Sequence, residues 1–103
     1  MANNLTNLVI LGSTGSIGRQ TLDIVDMHQE RFQVLGLAAY DEVDLLVQQA
    51  EKYHPRYVAL GDSSMYLSLK ERLQGKCQIV TGVEGMCQLA AMPQVDVVLV
   101  AVS

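Results

Sequence analysis

The stretch Leu11-Gly12-Ser13-Thr14-Gly15-Ser16-Ile17-Gly18 constrains this chain more than any other. It follows the apolar run Leu8-Val9-Ile10-Leu11 and opens a segment of helical period, with its glycines spaced three apart. A strand that turns through glycine into a helix leaves the helix's first N–H groups without acceptors, and the peptide dipoles add partial positive charge there. Glycine also lets an anion come close to the main chain. In this context, strand before and helix after, the pattern reads as a phosphate site. The spacing is Gly12-x-x-Gly15-x-x-Gly18, with Thr14 where many NAD-dependent proteins carry a middle glycine. A structural turn without ligand is the competing reading.

The elements around the loop emerge from hydrophobic period. Asn7 to Leu11 is continuous and apolar, as a buried strand requires. Gly18, Leu22 and Val25 then fall on one helical face, in a helix ending around Met27 or His28. Phe32 to Ala39 reads as the second strand. Val43, Leu46, Val47 and Ala50 mark a second helix that starts at Asp41-Glu42-Val43-Asp44 and is closed by Pro55. Arg56 to Leu60 is a third strand, and Gly61-Asp62-Ser63-Ser64 is a loop with good N-cap residues. Tyr66, Leu69 and Leu73 mark a third helix ending near Gly75. Cys77 to Val80 is a short strand, Thr81-Gly82 a turn. Val83, Met86, Cys87 and Ala90 mark a fourth helix stopped at Pro93, and Val95 to Val102 is the last strand. The order βαβαβαβαβ specifies an α/β, Rossmann-like, doubly wound parallel sheet. The chain stops on a buried-strand pattern with no helix after it, so the sheet is expected to be truncated at its last strand. Residues 1–103 are expected to be one dinucleotide-binding domain, the N-terminal part of a longer enzyme.

Composition narrows the classes of partner. Seven basic and eleven acidic residues give a net charge of −4, with no Lys/Arg cluster, which argues against a nucleic acid or an anionic membrane surface. Four Tyr, one Phe and no Trp offer little for base stacking. Cys77 and Cys87 lack metal-type spacing and read as two buried, reduced thiols, with a disulfide as the alternative. Met1-Ala2-Asn3-Asn4 carries no basic, apolar leader pattern, and no apolar run reaches the ~20 residues of a membrane helix. A cytoplasmic location is expected.

Within the loop, Gly12 permits the tight turn and Gly18 lets the helix pack closely on the first strand. Thr14 and Ser16 can offer hydroxyls, and Gly15, Ser16 and Ile17 can offer N–H groups, to a pyrophosphate. Ser13 or Thr14 could instead only cap the helix. Elsewhere the structural reading prevails. His28 and His54 stand alone at helix ends. Met65, Met86 and Met92 read as packing residues, Glu51-Lys52 and Lys70-Glu71-Arg72 as solvated surface. Asp23 and Asp26 are placed on the outer face of the first helix, and Asp96 at the exposed start of a strand.

Gly12-Ser13-Thr14-Gly15-Ser16-Ile17-Gly18, continuing into Gln20-Thr21-Leu22-Asp23-Ile24-Val25, resembles the N-terminus of the 1-deoxy-D-xylulose 5-phosphate reductoisomerase family. The resemblance extends in order through Phe32 to Ala39, His54-Pro55-Arg56-Tyr57-Val58-Ala59, Gly82-Val83-Glu84-Gly85 and Val95-Asp96-Val97-Val98, and so covers essentially the whole chain. It implies an enzyme of non-mevalonate isoprenoid biosynthesis that rearranges 1-deoxy-D-xylulose 5-phosphate and reduces the product with NADPH to 2-C-methyl-D-erythritol 4-phosphate. It further implies a divalent Mg2+ or Mn2+, a homodimer, and Thr14, Gly15, Ser16 and Ile17 as the NADPH contacts. The family's metal ligands and catalytic residues fall after position 103, so no catalytic residue and no metal ligand is assigned here. The chain alone is expected to be inactive, and the end of the last strand, Ala101 to Ser103, is expected to face the nicotinamide.

Tyr40-Asp41-Glu42 departs from the resemblance. The end of the second strand contacts the adenosine ribose in dinucleotide folds, and a carboxylate there accepts from a free 2′-hydroxyl and repels a 2′-phosphate. Asp41 read alone favours NADH; read as a cap for the second helix, with Glu42 and Asp44 in its first turn, it leaves the ribose alone. The resemblance tips the reading to NADPH, with NADH kept open. Tyr40 either stacks on adenine or is an aromatic at the sheet's edge. Two other functions fit the same loop: a dehydrogenase of the semialdehyde dehydrogenase type, and a standalone, non-catalytic nucleotide-sensing module.

Overall fold

The computed structural model describes residues 5–101. Ten elements succeed one another: β1 (Thr6–Leu11), α1 (Ser16–Met27), β2 (Phe32–Ala39), α2 (Val43–Tyr53), β3 (Tyr57–Leu60), a 3-10 turn (Ser63–Met65), α3 (Tyr66–Leu73), β4 (Gln78–Thr81), α4 (Gly82–Ala90) and β5 (Val97–Val100). The strands form one parallel sheet in the order β4-β3-β2-β1-β5. The α/β alternation read from hydrophobic period is therefore present, with strand ends that differ by a residue or two. The Val95 to Val102 strand is shorter than expected, and its last residue lies outside the described ones.

The two faces of the sheet are covered differently. Leu22 and Val25 of α1, Val43, Leu46, Val47 and Ala50 of α2, and Leu69 and Leu73 of α3 bury against Leu8, Ile10, Val34, Leu37, Val58 and Leu60. Each fully buried leucine there contributes about 1.5–3 kcal/mol. On the opposite face Leu89 of α4 packs with Val9, Leu35, Ala38 and Ala59, flanked by Met86, Met92 and Val98.

A bulge in β2 prepares the second face. Leu8 pairs with Val34 but Val9 pairs with Gly36, so Leu35 is an extra residue in the ladder. Leu35 packs in the α4 cluster, and a Cβ on Gly36 would lie 2.6 Å from Leu89 Cδ1. Two successive residues thus face α4, and the missing side chain of Gly36 is the space that Leu89 fills.

This packing corrects the expected face of α4. Val83 is 77% exposed and Cys87 is exposed, whereas Gly85 and Leu89 are buried. A Cβ on Gly85 would meet the Val80 carbonyl carbon at 2.9 Å, so the glycine sets the close approach of α4 to β4 and turns Cys87 outward. Cys77 is half-buried beside the α1–α3 core, and burial pushes its thiol up from the ordinary value. Both thiols are free, but they are not the two buried thiols expected.

Asp26 is a second correction. Asp26 is half-buried and accepts from Lys52 Nζ at 2.9 Å, joining α1 to α2 rather than standing on an outer face. That hydrogen bond holds the Asp26 carboxyl below its ordinary range. Arg72 of α3 likewise donates to Asp44 of α2; Lys52 and Arg72 are exposed, as expected, and each also pairs with a neighbouring helix. At the other edge Asp96 is exposed, as expected, and accepts from Asn7 N at 2.8 Å, pinning the start of β5 to β1.

Candidate phosphate-binding site

β1 lies between β2 and β5; α1, which follows β1, covers one face of the sheet, and α4, which leads into β5, covers the other. The connections therefore change faces between β1 and β5, the switch point at which open α/β sheets bind ligands. The glycine loop sits there. Gly12 turns the chain with φ 92°, a conformation that favours glycine. Its N–H and that of Ser13 both donate to Ala38 O, at 2.8 and 2.9 Å, which ties the loop to the end of β2.

Ser13 and Thr14 do not cap α1. Ser13 is fully buried, and its hydroxyl turns inward to Ala38 O at 3.4 Å. The N-cap is Gly15, with no side-chain hydrogen bond to the helix. Among the described residues no acceptor meets the N–H groups of Thr14, Ser16, Ile17 or Gly18. Gly15, Ser16 and Ile17 are exposed and Thr14 is half-buried. An uncapped helix start with a row of outward donors is what an anion would satisfy.

The glycines divide the work. A Cβ on Gly18 would lie 2.2 Å from Gly12 O and 2.7 Å from Ser13 Cα, so α1 lies directly on the loop backbone. A Cβ on Gly15 would meet only Gly12 O at 3.6 Å and Ala101 O at 3.8 Å, ordinary contacts. Gly15 has φ −77° and ψ 175°, open to any residue. Nothing within the described chain requires glycine at position 15, and its bare face is the cradle a methyl group would fill. Ala101 N donates to Leu11 O at 2.7 Å, which brings the end of β5 beside this cradle. Val102 and Ser103, expected at the nicotinamide, lie outside the described residues.

At the end of β2, Tyr40 is 67% exposed, and a Cβ on Gly61 would lie 2.6 Å from its ring. Asp41 and Glu42 are exposed, and neither caps α2 through its side chain. The turn into α2 is closed by the main chain, Val43 N donating to Asp41 O at 2.9 Å. Asp41 thereby stands two residues ahead of the helix, too early for its carboxylate to serve as the cap. Asp62, by contrast, caps the 3-10 turn, accepting from Ser64 N at 3.0 Å and Ser64 Oγ at 2.6 Å, which lowers its carboxyl. His28 and His54 are the C-cap residues of α1 and α2, at the helix ends expected from hydrophobic period.

Sequence pattern gives no sign of one residue beside the loop. Gln49 on α2 is 6% exposed and its Nε2 donates to Ser13 O at 2.8 Å. Hydrophobic period marks Val43, Leu46, Val47 and Ala50 and passes over a polar residue between them. Among the described residues no three His, Cys, Asp or Glu side chains converge as a metal site would require, and no helix is long and apolar enough to cross a membrane.

A parallel sheet with a glycine turn and an uncapped helix start at its switch point places the chain in the Rossmann-like class of α/β proteins. Within that class it belongs to the 1-deoxy-D-xylulose 5-phosphate reductoisomerase family, whose family model matches residues 8–103. It is 44% identical over 98 residues to the 1-deoxy-D-xylulose 5-phosphate reductoisomerase of Tolumonas auensis, covering 92% of this chain and 25% of that protein. To the Synechococcus sp. protein of the same name it is 46% identical over 89 residues, covering 84% and 23%. A crystal structure of DOX-P reductoisomerase in complex with NADPH, fosmidomycin and magnesium superposes with a TM-score of 0.90 at 33% identity, over 95% of this chain and 24% of that one. The Zymomonas mobilis enzyme in complex with NADPH gives 0.81 at 32% identity, over 85% and 24%. The chain spans about a quarter of the length of these relatives. Membership of this family sets aside the semialdehyde dehydrogenase type.

Proposed function

We propose that this chain forms the dinucleotide-binding part of a 1-deoxy-D-xylulose 5-phosphate reductoisomerase, an NADPH-dependent oxidoreductase of non-mevalonate isoprenoid biosynthesis. The observation that carries the reading is the uncapped start of α1 behind the Gly12 turn, at the β1/β5 switch point. Thr14, Gly15, Ser16 and Ile17 hold the pyrophosphate: main-chain N–H groups and the Thr14 and Ser16 hydroxyls donate, and the α1 dipole favours the charge. Buried Ser13 and glycine at position 18 keep the loop rigid, so little ordering is needed on binding. NADPH, when bound, supplies the hydride that reduces the rearranged sugar phosphate. The chain's part is to hold the cofactor and orient it toward the end of β5.

The metal, Mg2+ or Mn2+, takes its ligands outside this chain, as does the sugar-phosphate substrate. The protein works as a cytoplasmic homodimer without nucleic-acid or membrane partners. Support for NADPH comes from the solved relatives that hold it. Asp41 favours a second reading, NADH, because its exposed carboxylate is not engaged in capping α2. Calorimetric titration of both nucleotides into the intact protein decides between them: a preference of about tenfold or more for NADH overturns the NADPH reading. Failure to bind either nucleotide, or to turn over 1-deoxy-D-xylulose 5-phosphate, overturns the function itself.

A further inference from the structure

We infer that Gln49 is a positioning residue of the dinucleotide site, holding the Ser13–Thr14 peptide in the orientation that aims the Thr14 N–H at the phosphate. The inference rests on the dinucleotide reading above. Ser13 and Gln49 are the two polar residues buried among the described core, and they meet each other: Gln49 Nε2 donates to Ser13 O at 2.8 Å across 36 residues of chain. A trans peptide carries its C=O and N–H in opposite directions, and this chain has no cis bonds among the described residues. A Ser13 carbonyl pulled inward toward α2 therefore forces the Thr14 N–H outward, to the open side of the loop. That N–H meets no acceptor within the described chain. With the peptide turned over, a carbonyl oxygen would face the phosphate instead and repel it.

The rest of the loop cannot supply this constraint. Ala38 O holds the N–H groups of Gly12 and Ser13, which fixes the two peptides before the one in question. The Gly15 N–H donates to Gly12 O at 3.2 Å, which fixes the peptide after it. Among the described residues only Gln49 engages the carbonyl of the peptide between. The amide does not serve packing alone, either: Gln49 Oε1 is buried with no partner among the described residues, a cost that an apolar side chain of the same size would avoid.

The test uses the intact protein with Gln49→Leu, which keeps volume and loses the donor, and Gln49→Glu, which keeps length and at neutral pH loses the N–H. Leu46→Ala, a fully buried position on the same helix, is the packing control. NADPH affinity is read by calorimetry, and KM for NADPH, KM for the sugar phosphate and kcat from steady-state rates. Loss of a well-aimed donor to a phosphate is expected to weaken NADPH binding about tenfold in both Gln49 variants. The sugar-phosphate KM and the kcat at saturating NADPH stay within about twofold, since only nucleotide binding is uniformly weakened. Gln49→Leu melts close to the parent, because it removes the orphaned Oε1 along with the hydrogen bond, while Leu46→Ala melts lower and keeps its NADPH affinity. Parent-like NADPH binding by both Gln49 variants overturns the inference, and so does an equal loss of affinity in Leu46→Ala. A parent protein that binds no dinucleotide overturns the functional reading instead.

Discussion

Glycines 15 and 18 differ by three positions and belong to the same loop, yet the structure assigns them separable effects. Consider Gly18→Ala. The new Cβ would lie 2.2 Å from Gly12 O, 2.7 Å from Ser13 Cα and 2.9 Å from Ser13 C. Carbon–oxygen contact normally begins near ~3.3 Å, so the shortfall is about 1 Å. All three neighbours are backbone and cannot rotate away; either α1 must lift, carrying Leu22 and Val25 out of register with the core, or the loop must move off Ala38 O. Overpacking of this kind costs about 3 kcal/mol, offset by about 1 kcal/mol for alanine over glycine inside a helix. A net loss of about 2 kcal/mol lowers the melting temperature of a cooperative unit this size by about 10 °C. Gly15→Ala meets only ordinary contacts of 3.6 and 3.8 Å at a permissive φ, so its stability should stay within about 1 kcal/mol of the parent. Its methyl group nevertheless occupies the face proposed for the pyrophosphate, and NADPH binding should fall about tenfold or more. Thermal melts and nucleotide calorimetry on the two variants side by side check both halves. A Gly18→Ala protein melting within about 2 °C of the parent refutes the packing argument, and unchanged NADPH binding by Gly15→Ala refutes the cradle.

The same geometry gives three further outcomes. Gly36→Ala would place a Cβ 2.6 Å from Leu89 Cδ1, a side chain able to shift, so the expected cost is about 1–2 kcal/mol. A double-mutant cycle with Leu89→Val should then show favourable coupling; strict additivity of the urea midpoints would contradict the bulge assignment. Asp26 has its carboxyl lowered by Lys52, so its contribution to stability is present above the ordinary value of 3.8 and is lost as pH falls through the lowered folded value. The stability gap between the parent and Asp26→Asn should therefore be constant near neutrality and close in acid; a gap that persists unchanged at pH ~2 would speak against the pairing. Cys87 is exposed while burial raises the Cys77 thiol, so a thiol reagent at mildly alkaline pH should modify Cys87 first, and Cys87→Ser should abolish the fast phase. Faster modification of Cys77 would show that α4 turns its other face outward.

Much of this architecture is legible in local pattern. The alternation of strands and helices, the core faces of α1 and α2, the turn at Gly12 and the close approach at Gly18 all express themselves over a few residues. In each case a backbone period or a missing side chain dictates the outcome wherever the segment finally packs. The proposal of an anion site at the loop starts from the same local pattern, glycines between a strand and a helix, whereas the structure alone shows that neither Ser13 nor Thr14 caps that helix.

Packing between residues far apart in the chain governs the remainder. The buried face of α4 could not be taken from its own apolar residues, since Gly85 against Val80 and Leu89 against Gly36 outweigh the apparent stripe through Val83 and Cys87. Asp26 reads as an outer-face residue until α1 and α2 lie side by side and Lys52 reaches it. Asp41 has the composition of a cap, but the main-chain turn at Val43 moves the cap past it. Gln49 is the sharpest case: a lone polar residue in an amphipathic helix has no meaning until the fold brings the Ser13 carbonyl to it. Where the proposed phosphate would meet the backbone follows from the order of residues, because periodicity and glycine act locally. Which peptide is held to face that phosphate, and by what, depends on contacts that exist only after the sheet has closed.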